Sequence, residues 1–132
     1  RAANFHPLHT DDPRLLRRVT EALRNNEIIV FLSEGAGQKG STTATLFGEE
    51  RQFPKGPLFF AEKSGAALVP VFVLRDDYGG IHITFEPEVP LVRDADGRVD
   101  ETATWAGIIA HIEHHIRRRP NQWLWIVPEG KE

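Results

Sequence analysis

A glycine-rich stretch could hold a charged group: residues 33–42 read SEGAGQKGST and follow the apolar run EIIVFL. Backbone N–H groups of such loops can cradle phosphates. In the Walker A nucleotide loop, however, the lysine follows the second glycine and opens a helix, whereas Lys39 precedes Gly40. The next residues, STTATL, include three β-branched threonines, which form helices poorly. The pattern therefore disfavours a nucleotide site and leaves a polar platform or a plain surface loop.

A histidine and an aspartate near the start have the spacing H-x4-D, at His6 and Asp11. Imidazole has a pKa suited to general-base chemistry, and a carboxylate can orient its ring. Yet Asp11-Asp12-Pro13 is also typical of a helix start, with an aspartate cap and an early proline. A catalytic pair and a solvent-facing leader with a capping aspartate both fit these residues.

Two histidines, His111 and His115, lie four residues apart with Glu113 between them. The zinc motif HExxH places its glutamate directly after the first histidine, so the order does not match. His111, His114 and His115 precede three arginines, a charge pattern that favours the C-terminal end of a helix. We therefore predict a basic helix end and no metal site.

The elements that must position these residues can be read from hydrophobic periodicity and breakers. The first half is predicted as a helix from residue 11 to Asn25-Asn26, a buried strand at 27–33, a glycine-rich loop that runs through a Ser/Thr cluster to Phe53, and a helix over PKGPLFFAEKS ended by Gly65. The second half is predicted as a buried strand at 67–74, a turn at 76–80, a strand at 81–85, a loop at 87–97, a helix at 100–119 and a strand at 122–127. The order α-β-α-β-β-α-β predicts an α/β fold with a mainly parallel mixed sheet flanked by helices.

Length and composition set further limits. The chain has 132 residues, no cysteine, no methionine and a formal net charge of −3. We predict a single α/β domain over residues 1–132, without disulfides. The charge gives no reason to expect nucleic-acid binding. Because no methionine is present, we expect the chain to be part of a larger domain that continues upstream.

Four pieces occur in a recognisable order: VFLSEG, then LFGEERQFPKGPLFFAEKSGAALVPVFVLR, then GIHITFEPEV, then RRRPNQWLWI. Together they resemble the C-terminal half of bacterial lipid A late acyltransferases and the related mannoside acyltransferases of the lysophospholipid acyltransferase superfamily. The most specific piece is R-x-P-x-Q-W-L-W, matched by Pro120, Gln122, Trp123, Leu124 and Trp125. The chain is thereby expected to form an incomplete acyltransferase-like domain.

The resemblance implies transfer of a fatty acyl group to a hydroxyl of a lipid or glycolipid. The donor would be a thioester on acyl carrier protein or coenzyme A, with no bound cofactor. The family's base is the histidine of an H-x4-D or H-x4-E motif, which His6 and Asp11 match only in spacing. We therefore expect the general base to lie outside this chain. A noncatalytic lipid- or glycan-head-group-binding domain of the same fold is the alternative.

The resemblance also suggests substrate-binding residues. The superfamily's Phe-Pro-Glu-Gly motif, which contacts the acceptor, has its nearest counterpart at Phe31–Gly35, where Leu32-Ser33 replace the proline. Glu34, Gly35 and the nearby cation Lys39 are the candidates. Arg75, just after V-P-V-F-V-L, could face a phosphate or sit at a solvated sheet end. A second match, VPEG at 127–130, follows QWLW and is interpreted as a solvated terminus.

Lipid substrates imply peripheral contact with the cytoplasmic face of the inner membrane. The longest apolar run, residues 66–74, is far too short for a membrane span. Four aromatic residues could be partly interfacial or could belong to the core: Phe59, Phe60, Trp123 and Trp125.

Overall fold

The computed structural model of the chain describes residues 5–33 and 40–123. The chain divides into two compact units, residues 1–31 and 32–132. Within the described residues, no helix has both the length and the apolar character needed to cross a membrane.

The first unit contains helix α1, Leu15–Arg24, which confirms the predicted N-terminal helix. Just before the helix, Oδ1 of the Asp12 carboxylate accepts the backbone N–H of Arg14 at 2.8 Å. The helix ends at Asn25, and Asn26 takes a positive φ of 60°. The helix thus ends where the sequence predicts, but it begins at Leu15, four residues after the predicted start.

The predicted buried strand at 27–33 is wrong. This segment forms no strand, and Ile28 and Leu32 are 88% and 86% exposed. An apolar run becomes a stable strand only when neighbouring backbone completes its hydrogen bonds and covers its side chains. No pairing of this segment occurs among the described residues.

Residues 41–54, which follow the glycine-rich loop, form a β-hairpin that the sequence analysis missed. Strand β1, Ser41–Leu46, pairs antiparallel with β2, Glu49–Pro54. Phe47 and Gly48 connect them with φ of 50° and 81°, as a two-residue type I′ turn requires.

Helix α2, Gly56–Ser64, confirms the second predicted helix, although Pro54 belongs to β2 and Pro57 lies in its first turn. Gly65 ends it with φ 73°, as predicted. Of the aromatic residues in this helix, Phe60 is buried and Phe59 is 40% exposed.

The second sheet consists of β3, Val71–Arg75, paired antiparallel with β4, Ile81–Phe85. The two described sheets each have two antiparallel strands, so the prediction of a mainly parallel sheet is wrong. The run at 67–74 is also not a strand buried on both faces. Phe72 and Leu74 are half-buried, but Val71 and Val73 remain exposed.

Helix α3, Glu101–Arg118, organises the second unit. Its predicted apolar stripe is confirmed: the core cluster includes Trp105, Ile109, Ile112 and Ile116 together with residues of β1, β2 and α2. Asp100 caps the helix by accepting the N–H of Ala103 at 2.9 Å. A short 3₁₀ turn, Pro120–Gln122, follows, and the half-buried Trp123 packs against the core.

Candidate substrate site

A hollow of about 510 Å³ opens at the C-terminal end of β3. It lies between the β3–β4 turn and the 3₁₀ turn after α3. Its lining includes Val73, Arg75, Asp76, Asp77, Arg119 and Gln122. The hollow therefore joins the strand end that carries Arg75 to the R-x-P-x-Q segment, which lies more than forty residues later in the sequence.

The side chain of Gln122 holds the end of β3. Its Oε1 accepts the backbone N–H of Arg75 at 2.7 Å. Its Nε2 donates to the carbonyl oxygen of Arg75 at 2.6 Å. The carboxamide thus bonds both backbone groups of a strand residue, as a neighbouring strand would. This pairing fixes the backbone from which the Arg75 side chain extends.

The carboxylate of Asp76 is occupied by the turn it begins. It accepts N–H bonds from Tyr78 at 2.9 Å and Gly80 at 2.7 Å, and it bonds Nε2 of His82 at 2.7 Å. The His82 bond and the two turn amides lower the pKa of Asp76, so the group is ionised at neutral pH. Its negative charge is directed into the turn.

The carboxylate of Asp77 is also occupied, because Nη1 of Arg119 donates to its Oδ1 at 2.6 Å. This hydrogen bond and the attraction of the carboxylate raise the pKa of Arg119. Arg75 differs from these three charged residues. Within the described parts of the chain, its guanidinium has no hydrogen bond or ion pair, and the residue is exposed.

A second polar cluster joins α3 to the residue after β4. Glu86 Oε1 accepts a bond from Nε2 of His115 at 2.6 Å, and His111 Nδ1 lies 3.4 Å from Oε2. The His115 bond, with the nearby histidine charges, lowers the pKa of Glu86 despite partial burial. His115 is 5% exposed, and its ring stacks on Phe72 with centroids 4.0 Å apart. Its buried Nδ1 has no hydrogen-bond partner among the residues that the structure describes.

These contacts give the helical histidines a different role from a basic helix end alone. His111 and His115 lie on one face of α3 and meet Glu86, so they fasten the β3–β4 sheet to the helix. Across the described residues, no three His, Cys, Asp or Glu side chains are arranged to hold a metal ion.

The predicted substrate residues fall in different places. Arg75 lines the hollow. Glu34, Gly35 and Lys39 lie outside the described residues, as do Leu124, Trp125 and the VPEG segment. Their roles remain predictions.

His6 and Asp11 lie in the first unit, and both are exposed. The carboxylate at the start of α1 that makes contacts is Asp12. Its Oδ2 accepts from Arg18 at 3.1 Å, and these contacts lower its pKa. Within the described residues no side chain caps α1, whose N-cap residue is Arg14, so the capping role predicted for Asp11 is wrong. The catalytic role of the H-x4-D pair stays a prediction.

Comparison with known proteins identifies the family. The model of the family described as bacterial lipid A biosynthesis acyltransferase matches residues 2–131. The chain belongs to this family. It is similar to the lipid A biosynthesis palmitoleoyltransferase of Escherichia coli (strain K12) and the lipid A biosynthesis acyltransferase of Shigella flexneri, each 33% identical over 115 residues. The matched region is 84% of this chain and 36% of each relative.

Two residues that shape the site are not predicted as site residues from the sequence. Gln122 stands in the sequence only as part of the R-x-P-x-Q-W-L-W motif, and its pairing with Arg75 spans 47 positions. Glu86 belongs to none of the candidate site motifs. The paired histidines at 111 and 115 were a signal that a carboxylate would be needed opposite that helix face.

Proposed function

We propose that this protein transfers a fatty acyl group from an acyl thioester, on acyl carrier protein or coenzyme A, to a hydroxyl of a lipid or glycolipid acceptor. The observation that supports this is the family match over residues 2–131. The name of the Escherichia coli relative specifies a palmitoleoyl group in lipid A biosynthesis. A palmitoleoyl thioester and a lipid A precursor are therefore the first substrates to test.

The chemistry requires a general base and an oxyanion stabiliser. The base takes the hydroxyl proton as the acceptor oxygen attacks the thioester carbonyl carbon. The tetrahedral oxyanion then collapses, the carbon–sulfur bond breaks, and the departing thiolate takes up a proton. The products are an ester and a free thiol. No covalent acyl-enzyme is needed.

We place the base outside these 132 residues. His115 of α3, which is bonded to Glu86, is only 5% exposed, so its ring is not accessible to an acceptor hydroxyl. His6 with Asp11 is the second candidate, on spacing alone. Acceptor binding is proposed for Glu34, Gly35, Lys39 and Arg75. Lipid substrates further imply peripheral association with the cytoplasmic face of the inner membrane.

The test is mass spectrometry of a lipid A precursor after incubation with the full-length protein and palmitoleoyl-acyl carrier protein, or palmitoleoyl-coenzyme A. We expect a product heavier by one acyl group. His6→Ala should leave transfer unchanged if the base lies elsewhere, and should reduce it about 10²–10⁴-fold if His6 is the base. His9→Ala, at another exposed histidine, is the matched control.

Absence of acylated product with both donors, while the precursor still binds, would overturn the transferase proposal. It would favour the noncatalytic head-group-binding domain.

A further inference from the structure

We infer that the hollow beside Arg75 is a subsite for a phosphate group carried by the lipid acceptor. This inference rests on the proposed function, because it takes the acceptor to be a lipid. It adds the chemical group recognised and the side chain that recognises it.

The first argument is the accounting of hydrogen bonds. Among the described residues, four charged side chains line the hollow, and their formal charges cancel: Arg75, Arg119, Asp76 and Asp77. Their hydrogen-bond donors and acceptors, however, are not all paired with one another. Asp77 is taken up by Arg119, and Asp76 by the turn amides and His82. The donors of the Arg75 guanidinium are left over among the described residues. A guanidinium presents a planar fork of donors that matches a phosphate.

The second argument is that the backbone of Arg75 is held in place before any ligand arrives. Gln122 bonds both its N–H and its carbonyl oxygen, at 2.7 and 2.6 Å. An anchored backbone reduces the conformational entropy that an anion must overcome on binding. Asn121, also on the lining, is a further polar side chain with no hydrogen-bond partner in the described structure.

The third argument is the apolar wall. Val73 and Ile81 line the hollow next to Arg75, and they are 63% and 66% exposed. Arg75 lies opposite Ile81 in the β3–β4 register, so the charge and the apolar side chains share one face of the sheet. A cationic end beside apolar surface fits a phosphate attached to a lipid better than a free phosphate ion.

The test is isothermal titration calorimetry of the full-length protein with dihexanoyl phosphatidic acid, kept below its critical micelle concentration. Dihexanoylglycerol, inorganic phosphate and coenzyme A are titrated separately. Phosphatidic acid should bind more tightly than the other three ligands. Arg75→Gln should weaken its binding about tenfold, since hydrogen bonds to charged groups contribute this much or more. Arg75→Lys should lie between the two, because it keeps the charge and loses the fork.

Two further variants sharpen the test. Asp77→Ala removes the acceptor of Arg119 and leaves that guanidinium free to bind an anion in the hollow, so it should strengthen phosphatidic acid binding several-fold. Arg98→Gln makes the same change of charge as Arg75→Gln, but at an exposed arginine outside the hollow, and should have no effect. Circular dichroism of each variant checks that it is folded.

The inference is overturned if phosphatidic acid and dihexanoylglycerol bind alike, or if Arg75→Gln binds like the wild type. Tighter, Arg75-dependent binding of coenzyme A would assign the phosphate to the donor and overturn the lipid assignment. Equal binding of inorganic phosphate would overturn the role of the apolar wall. If acyl transfer occurs without dependence on Arg75, this inference fails alone. If phosphatidic acid binds through Arg75 and no acyl group is transferred, only the proposed function fails.

Discussion

Replacing Gln122 by leucine removes the carboxamide that pairs with the end of β3. The two lost hydrogen bonds join Gln122 to the N–H and the carbonyl oxygen of Arg75, at 2.7 and 2.6 Å. A typical bond contributes about 0.5–1.5 kcal/mol to the free energy of unfolding, so two contribute about 1–3 kcal/mol. Because Gln122 is exposed, water replaces part of this loss. We expect a decrease of about 1 kcal/mol.

The decisive measurement is amide hydrogen exchange at Arg75, combined with urea denaturation. If the local opening of this N–H becomes easier by about 1 kcal/mol, its exchange should accelerate about fivefold. The N–H of Asp76, which donates to Gly80 within the β3–β4 turn at 2.8 Å, should keep its rate and serves as the internal reference.

Gln122→Glu and Asn121→Leu are the matched controls. The glutamate keeps an acceptor for the Arg75 N–H but loses the donor to the carbonyl, so Arg75 exchange should change less than in Gln122→Leu. Asn121, in the same turn, makes no hydrogen bond among the described residues and should be nearly neutral in these two measurements. Equal exchange rates at Arg75 in Gln122→Leu and Asn121→Leu would refute the pairing as a source of order.

Two other perturbations test the packing of α3. The pKa of Glu86 is lowered in the folded state, so as the pH falls this carboxylate is protonated in the unfolded chain first. The stabilisation that Glu86 contributes is therefore complete above about pH 4.5 and is lost as the pH falls below it. Glu86→Gln should therefore flatten the acid side of the curve of unfolding free energy against pH, while Glu88→Gln, at an exposed residue, should not. Ile112→Ala should lower the free energy of unfolding by about 2–5 kcal/mol in urea denaturation, because Ile112 is 3% exposed. Ile83→Ala, at 59% exposure, should cost less than about 1 kcal/mol, and equal losses would contradict the assigned core.

Several elements could be predicted because their signals are local. The stripe from Trp105 to Ile116 and the stop at Pro120 predicted α3 within a residue or two. Gly65 predicted the end of α2, where a left-handed residue is needed. Such signals act through neighbours three or four residues away, so the sequence carries them in full.

The sheet could not be predicted in the same way. The apolar run at 27–33 looks like a buried strand, but burial requires a partner that the run itself does not specify. The sequence predicts a loop over most of segment 41–54 because the glycines just before it indicate irregular backbone. The Phe47–Gly48 turn nevertheless joins two strands, one of which carries the alternating STTATL pattern.

The sequence by itself determined helices α1, α2 and α3, their C-terminal ends, the β3–β4 turn and the family resemblance, since each depends on residue types at fixed short spacings. The tertiary structure alone decided that Gln122 meets Arg75 across 47 positions and that Glu86 meets His115 across 29. Such pairs form because α3 packs its apolar stripe on the core and thereby brings its histidines and the following turn against the sheet. Long-range side-chain contacts follow from the packing of whole elements, which no local pattern encodes.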